Sequence, residues 1–112
     1  GFTGLMNVSF EAPFTPAVEI AWRLAPEHWG LGYASEAAWA VLRCAFDRLA
    51  LDQVVSFTSE LNLPSQKVMQ AIGMQHDVDG DFEHPLLPAG DPLRPHVLYR
   101  ITRAQWLETL HG

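Results

Sequence analysis

The sequence is poor in cysteine and in basic residues, and it contains no long apolar run. Cys44 is the one cysteine in 112 residues, which excludes an internal disulfide and is typical of a reducing cytoplasm. Seven Lys and Arg stand against thirteen Asp and Glu, and this formal charge of −6 argues against nucleic acid as a partner. No apolar run approaches the ~20 residues that span a membrane. The composition therefore predicts a soluble cytoplasmic protein with no nucleic-acid and no membrane partner.

What the chain does contain is enough apolar sequence for one small mixed domain. A hydrophobic share of 48% with four Trp is typical of a folded globular protein. Strand-like and helix-like patterns alternate along the chain, which predicts helices packed on a mixed sheet. The predicted strands cover 1–6, 18–24, 54–58 and 96–101, the predicted helices cover 34–49, 64–72 and 103–110, and 7–16 and 77–95 are predicted loops.

The stretch 28–37, HWGLGYASEA, opens the longest helical pattern. Apolar residues recur along this helix with the i, i+3, i+4, i+7 spacing of one buried stripe. No Ser, Thr, Asp or Asn precedes it as a cap, so the N–H groups of its first turn are predicted to lack side-chain partners. Gly30 and Gly32 allow a tight turn, and the helix dipole adds partial positive charge there. The pattern predicts a phosphate site, with a plain strand–turn–helix link as the structural alternative.

Two well-known phosphate loops and two metal motifs do not fit this sequence. A dinucleotide fingerprint needs a third glycine at the position of Ser35, and a Walker loop needs a Lys that the stretch lacks. Asp77, Asp79 and Asp81 start like a calcium loop, but Phe82 stands where glycine belongs. The five His show no zinc-like spacing. We therefore predict no metal site.

The segment WGLGYASEA at 29–37 resembles the pyrophosphate-binding motif of the GNAT superfamily of acetyl-CoA-dependent N-acetyltransferases, in particular the subfamily that includes the ribosomal-protein N-terminal acetyltransferases. Upstream, 19–24 resembles the fourth strand of that family, and 62–69 followed by 72–74 resembles its next helix and strand. Glu27 stands where the superfamily motif often has Gln or Arg. The resemblance covers about 1–101 of the chain, and the quoted blocks occur in the family's order.

The resemblance implies an α/β (α+β) fold with a GNAT-like mixed β-sheet flanked by helices, built as a single partial domain over 1–112. The family's first strand, next two helices and second strand would precede Gly1, so the fold is expected to be N-terminally truncated. In the family, strands four and five separate, and the pantetheine arm of acetyl-CoA lies in the gap between them.

The resemblance also implies that acetyl-CoA is the cofactor. Backbone N–H groups near the two glycines would bind the diphosphate, and the backbone of the fourth strand would pair with pantetheine and polarise the acetyl carbonyl. An Asn at the place of Asn62 contacts the cofactor in relatives, whereas Lys67 reaches a phosphate or simply lies on a solvated helix surface. The residues implied to bind acetyl-CoA are Trp22, Arg23, Leu24, His28, Trp29, Gly30, Leu31, Gly32, Tyr33, Ala34, Asn62, Ser65 and Lys67.

Proton transfer has three candidate residues. In relatives a Ser or Tyr on the second helix reaches the thiol sulfur, and because that helix has no Tyr here, Ser65 is the matching candidate. Glu19 lies on the strand that supplies a general base in some relatives, and His84 has a suitable intrinsic pKa. The structural alternatives are a helix-start role for Ser65 and Asn62, a solvent-facing strand position for Glu19, and an ordinary loop position for His84.

Two functions follow from this reading. The first is transfer of an acetyl group from acetyl-CoA to a primary amine, either a small amine or a protein N-terminus. The alternative is a catalytically incomplete half-domain that acts as a CoA-binding or protein-interaction module, because the front part of the family pattern is missing. A homo-oligomer is compatible with both.

Overall fold

A computed structural model describes residues 2–23 and 31–111. In these ranges the chain forms a mixed sheet with three helices. The strands are β1 (Phe2–Asn7), β2 (Val18–Arg23), β3 (Gln53–Ser59), β4 (Gln75–His76), β5 (Phe82–Glu83) and β6 (Pro95–Thr102), and the helices are α1 (Leu31–Asp47), α2 (Leu63–Ala71) and α3 (Arg103–His111).

The sheet has the strand order β1-β2-β3-β6-β4, with β5 also paired to β6. The β1–β2 and β3–β6 pairs are antiparallel, whereas β2 and β3 run parallel. The β3–β6 ladder extends from Gln53↔Thr102 to Ser59↔His96, so it covers β3 completely. This arrangement confirms the predicted mixed sheet flanked by helices.

Alternate strand residues point to opposite faces of the sheet, and the helices pack on one of them. We call this the helix face, and we call the opposite side, which carries Glu19, Val55, Phe57, Leu98 and His96, the far face. Along β2, Ile20 is fully buried in the helix-face core, whereas its neighbour Glu19 lies on the far face. Buried members of this core are Ile20, Val54, Val97, Tyr99 and Ile101 from strands and Leu42, Phe46, Val68, Met69 and Trp106 from helices.

Helix α1 begins at Leu31, three residues before the predicted start. Gly32 and Tyr33, which lie ahead of the predicted start, therefore belong to its first turn. The prediction was wrong at this end because glycine lowers helix stability relative to alanine but does not break a helix.

The end of α1 also differs from the prediction. The helix ends at Asp47 instead of residue 49. Ala50 has a φ of 52°, and the Leu51 N–H donates to the Ala45 carbonyl at 3.1 Å. This bond reaches six residues back along the chain, and together with the left-handed Ala50 it turns the chain away at the end of the helix. Such an end is hard to predict here because alanine occupies the place where glycine is usual.

Helix α2 begins and ends one residue before the predicted bounds. Pro64 lies in its first turn, and Asn62 caps it, with the Asn62 Oδ1 accepting from the Ser65 N–H at 3.2 Å. Gly73, which follows the C-cap residue Ile72, has a φ of 91°, a conformation in which glycine commonly ends a helix. None of the helices in the two described ranges is long and apolar enough to cross a membrane.

The predicted loop 77–95 is more ordered than expected. It holds a 3₁₀ turn at Val78–Gly80 and strand β5. Asp81 Oδ1 accepts from the Leu98 N–H at 3.0 Å, and Asp77 Oδ2 accepts from Arg100 at 3.0 Å. The Asp81 carboxylate takes the place of a ladder bond along β6, and the Asp77 carboxylate pairs with the Arg100 guanidinium. A Pro- and Asp-rich composition does not reveal such contacts.

Candidate active site

A gap between β2 and β3 is the main feature of the candidate site. Among the described residues the β2–β3 ladder consists of one pair, Glu19↔Val55. On its other side, β2 pairs with β1 along its whole length. Because β2 and β3 are parallel, residues 21–23 and 57–59 follow this pair at the same edge of the sheet without pairing to each other. The separation implied by the family resemblance is thus present.

The residues implied to bind acetyl-CoA that the structure describes are distributed over β2, the start of α1 and the start of α2. Leu24, His28, Trp29 and Gly30 lie outside the described residues. On β2, Trp22 is half-buried against the helix-face core, and Arg23 is the last residue of the strand. The backbone of Leu31, Gly32, Tyr33 and Ala34 forms the first turn of α1.

The start of α2 is tied to the end of β3 on the other side of the gap. Asn62 Nδ2 donates to Thr58 Oγ1 at 3.1 Å, while its Oδ1 caps the helix. Ser65 is half-buried and Lys67 is exposed. The helix-start role of Asn62 is therefore present in the structure, and the amide also anchors α2 beside the end of β3, which is paired to β6 but not to β2.

Glu19 is the last residue of β2 that is paired to β3. It lies on the far face between Met6 of β1 and Val55 of β3. Burial raises the pKa of the Glu19 carboxyl from 4.5 to about 7, because partial desolvation disfavours the charged form. A carboxylate with a pKa near neutrality can accept a proton at physiological pH and release it again, as a general base must.

A group of aromatic rings covers part of the far face beyond Glu19, and we call it the aromatic cluster. The Phe10 and Phe57 ring centroids lie 5.5 Å apart, and those of Phe10 and His84 lie 4.5 Å apart. The His84 and His96 rings meet edge to face at 5.0 Å. The members of the aromatic cluster are Phe10, Phe14, Phe57, Phe82, His84 and His96.

The hydrogen bonds of His84 fix its role within the cluster. The Leu86 N–H donates to His84 Nδ1 at 3.2 Å, so the proton of the neutral ring is on Nε2. Burial, and then the charge of His96, lower the pKa of His84. The ring is thus a neutral donor through Nε2, and its lone pair at Nδ1 is already used. In His96 it is Nδ1 that carries the proton, because Nδ1 donates to the Arg94 carbonyl at 3.0 Å.

The sequence predicted Glu19 and His84 as candidate site residues. It did not indicate His96, Phe10 and Phe57, which belong to the aromatic cluster. Period-2 alternation places Phe57 on the same face as Val55, and this signal could have drawn attention to β3. Phe10 lies in an irregular segment, and its approach to His84 depends on tertiary packing alone.

Residues 1–75 match the family described as acetyltransferase (GNAT) domain. The FsC-acetyl coenzyme A-N(2)-transacetylase of Aspergillus fumigatus is 37% identical over 93 residues, which make up 83% of this chain and 39% of that protein. YnaD of Bacillus subtilis, an uncharacterized N-acetyltransferase, is 33% identical over 79% of this chain and 50% of its own length. The chain thus spans half or less of the length of these relatives.

Solved structures of acetyltransferases share the fold of this chain. A GNAT-family acetyltransferase from Bacillus anthracis is 29% identical, with a TM-score of 0.69 over 89% of this chain and 57% of its own. The spermidine N-acetyltransferase SpeG of Vibrio cholerae shares the fold, with a TM-score of 0.69 over 83% of this chain and 53% of its own, at 18% identity. Because the family pattern matches more than half of its residues, the chain belongs to the GNAT acetyltransferase family.

Proposed function

We propose that the chain is the acetyl-CoA-binding part of an N-acetyltransferase that acetylates a primary amine. Membership of the family supports the acetyltransferase class, while the donor and the acceptor are our proposal. The observation that carries it is the gap between β2 and β3, which opens directly after Glu19, a carboxyl with a pKa raised to about 7.

The residues around the gap fit the chemical groups of acetyl-CoA. Unpaired strand backbone at 21–23 and 57–59 can exchange hydrogen bonds with the amide groups of a pantetheine arm, as strands do with an added peptide. The first-turn N–H groups of α1, from Leu31 onward, suit a diphosphate because of their orientation and the helix dipole. Asn62 and Lys67 at α2 would contribute side chains. When bound, acetyl-CoA supplies an activated thioester carbonyl.

The protein's own residues would then move the protons. In our proposal Glu19 removes a proton from the acceptor amine, and Ser65 donates a hydrogen bond to the sulfur of the departing thiolate, which then takes its proton from solvent. His84 is a weaker choice as base than Glu19, because its Nδ1 lone pair already accepts from Leu86. It can instead donate a hydrogen bond through Nε2. A positioned acid or base contributes about 10²–10⁴-fold to such a step.

The acceptor class is supported by charge and by the relatives. A net charge of −6 favours a cationic amine over an anionic acceptor. The names of two similar proteins specify N-acetylation, one of them of spermidine. We therefore propose a primary amine, either a small amine or a protein N-terminus as in the ribosomal-protein acetyltransferases.

Calorimetric titration of the 112-residue chain with acetyl-CoA tests the donor. We expect one saturable site, and thiol release when spermidine or a peptide with a free N-terminus is added. The Glu19→Gln variant is the matched control, because it should bind acetyl-CoA like the unmodified protein but release thiol far more slowly. No heat of binding at high micromolar acetyl-CoA would overturn the proposal.

The second candidate function is a CoA-binding or protein-interaction module without turnover. Strand β1 favours it, because it is an edge strand in the described part of the sheet and Met6 on it is 43% exposed. In that case acetyl-CoA binds, no amine on the panel releases thiol, and light scattering gives the mass of an assembly. A stable monomer that turns over would exclude this candidate.

A further inference from the structure

Ser56 is the one polar residue among the buried residues of the described ranges. It follows Val55 on β3, it is 3% exposed, and its Oγ–H donates to the Ile20 carbonyl at 3.0 Å. The two residues are 36 positions apart in sequence and lie one step beyond the last β2–β3 pair.

This hydrogen bond lies where the next bond of the β2–β3 ladder would lie. In a parallel ladder, a strand carbonyl that faces its neighbour accepts from a backbone N–H of that neighbour. Here the Ile20 carbonyl accepts from the Ser56 side chain of β3, and no further β2–β3 pair follows among the described residues. The ladder stops at this point, although both strands continue for three more residues.

The surrounding packing holds the hydroxyl in place. The Ile20 side chain is fully buried in the helix-face core, and this packing fixes the position of the Ile20 carbonyl. Val55, beside Ser56, is fully buried on the far face. A buried hydroxyl is expensive to leave without a partner, so this position favours the Ser56–Ile20 bond over its absence. The acceptor residue Ile20 directly follows Glu19, so this bond lies one residue away from the proposed base.

We propose that Ser56 is a positioning residue that ends the β2–β3 ladder and thereby sets the width of the gap that binds acetyl-CoA. The link to acetyl-CoA rests on the proposed function, whereas the effect on the ladder does not. Without the hydroxyl, the Ile20 carbonyl accepts from the β3 backbone, the ladder lengthens, and the gap narrows.

A pair of isosteric variants tests this proposal. Ser56→Thr keeps the hydroxyl and Ser56→Val removes it, while both add a β-branched side chain of the same shape. We expect Ser56→Val to bind acetyl-CoA about three- to tenfold more weakly than Ser56→Thr, which is the range expected from the net worth of one hydrogen bond. Thr109→Val is the control, because it removes a similar bond, from Thr109 Oγ1 to the Trp106 carbonyl, away from the gap. It should leave the Kd unchanged.

Amide hydrogen exchange of the protein without acetyl-CoA gives the second measurement. The Phe57 amide should exchange more slowly in Ser56→Val than in Ser56→Thr, because the longer ladder protects it. Equal exchange in the two variants would overturn the proposal, whatever their affinities. If neither variant nor the unmodified protein binds acetyl-CoA, the proposed function fails, and the exchange comparison still decides the role of Ser56.

Discussion

The two faces of the sheet differ in what they bury. The helix face holds aliphatic side chains and the fully buried Trp106 and Phe46, most of them carried by helices. The far face holds Glu19 with a raised pKa and an aromatic cluster whose members are only half-buried. Burial of apolar surface on the first face stabilises the fold, since each fully buried large side chain contributes about 1.5–3 kcal/mol.

The far face bears features that weaken a fold, and in our proposal these features serve the reaction. A half-buried carboxyl that has no cationic partner among the described residues is unfavourable when it ionises, and a ladder that ends early gives up backbone hydrogen bonds. Proteins retain such features at functional sites, where residues are kept for activity although they lower stability. The comparison implies that changes on the helix face reduce stability, whereas changes on the far face reduce activity.

The largest expected effect is on the helix face. Trp106 stacks on Phe46 at 5.6 Å and is fully buried, so Trp106→Ala should lower the free energy of unfolding by about 3–5 kcal/mol. Trp106→Phe keeps a ring and removes an indole N–H that has no hydrogen-bond partner in the described structure, so its cost should be much smaller. Urea denaturation measures both. Equal losses in the two variants would contradict this account of the core.

On the far face the largest effect should be kinetic. Glu19→Gln should lower kcat with an amine acceptor by about 10²–10⁴-fold, because the amide cannot accept the proton. In the unmodified protein kcat should rise with pH through about 7, the raised pKa of Glu19. A steady-state pH profile measures both. A variant with an unchanged profile would show that Glu19 is a strand residue without a role in proton transfer.

The same carboxyl gives a stability effect of known sign. Its pKa is raised from 4.5 to about 7, so the folded state binds the proton more tightly than the unfolded chain. The stability linked to Glu19 is therefore complete below pH 4.5 and is lost as pH rises through 7. We expect Glu19→Gln to gain stability relative to the unmodified protein across this window, and urea midpoints at several pH values would show it.

His84 should show the opposite trend. Burial and the neighbouring His96 lower its pKa, so its neutral form is favoured in the folded state. The stability linked to it is present above pH 6.5 and is lost as the pH falls through its lowered pKa. His84→Asn should therefore reduce the loss of stability on acidification, and the same urea series carried below pH 6.5 measures it.

Much of the fold could be predicted from local sequence signals. Hydrophobic periodicity located the helices and the long strands. Pro64 and Gly73 mark the two ends of α2, because proline suits a first helical turn and glycine tolerates the left-handed conformation after the last one. The end of α1 was missed because Ala50 adopts a left-handed conformation that its residue type does not indicate. The strand that the family resemblance implied at 72–74 lies at Gln75–His76, and β5 was missed because it has only two residues.

The site was less predictable than the fold. Glu19 and Asn62 were found through the family resemblance, since neither residue has a distinctive local pattern. The roles of Ser56 and Phe10 depend on partners far away in sequence, as with the Ser56–Ile20 bond across 36 positions. Side-chain bonds of this kind follow from how two strands approach each other, and the sequence of one strand does not contain that information.

A matched pair of phenylalanines sharpens the contrast between the faces. Phe46 is fully buried on the helix face, so Phe46→Leu should lower the free energy of unfolding by about 1–2 kcal/mol and leave the KM for the amine unchanged. Phe57 is half-buried within the aromatic cluster, two residues beyond Val55, which pairs with the proposed base Glu19. We propose that it contacts the acceptor amine, so Phe57→Leu should cost less stability and raise that KM. If both variants changed stability alone, the aromatic cluster would be a second core instead of part of an acceptor site.

The smallest effects should come from two left-handed residues that follow helices. Gly73 has a φ of 91°, and a Cβ there would lie 3.2 Å from Thr109 Cγ2, so Gly73→Ala should lower the free energy of unfolding by about 1 kcal/mol. Ala50 has a φ of 52°, so Ala50→Gly should relieve strain and raise stability by at most about 1 kcal/mol, since glycine also loosens the unfolded chain. Thermal denaturation measures both. Because both positions belong to the helix layer, neither variant should alter the affinity for acetyl-CoA, and a change in that affinity would show that the two faces are coupled.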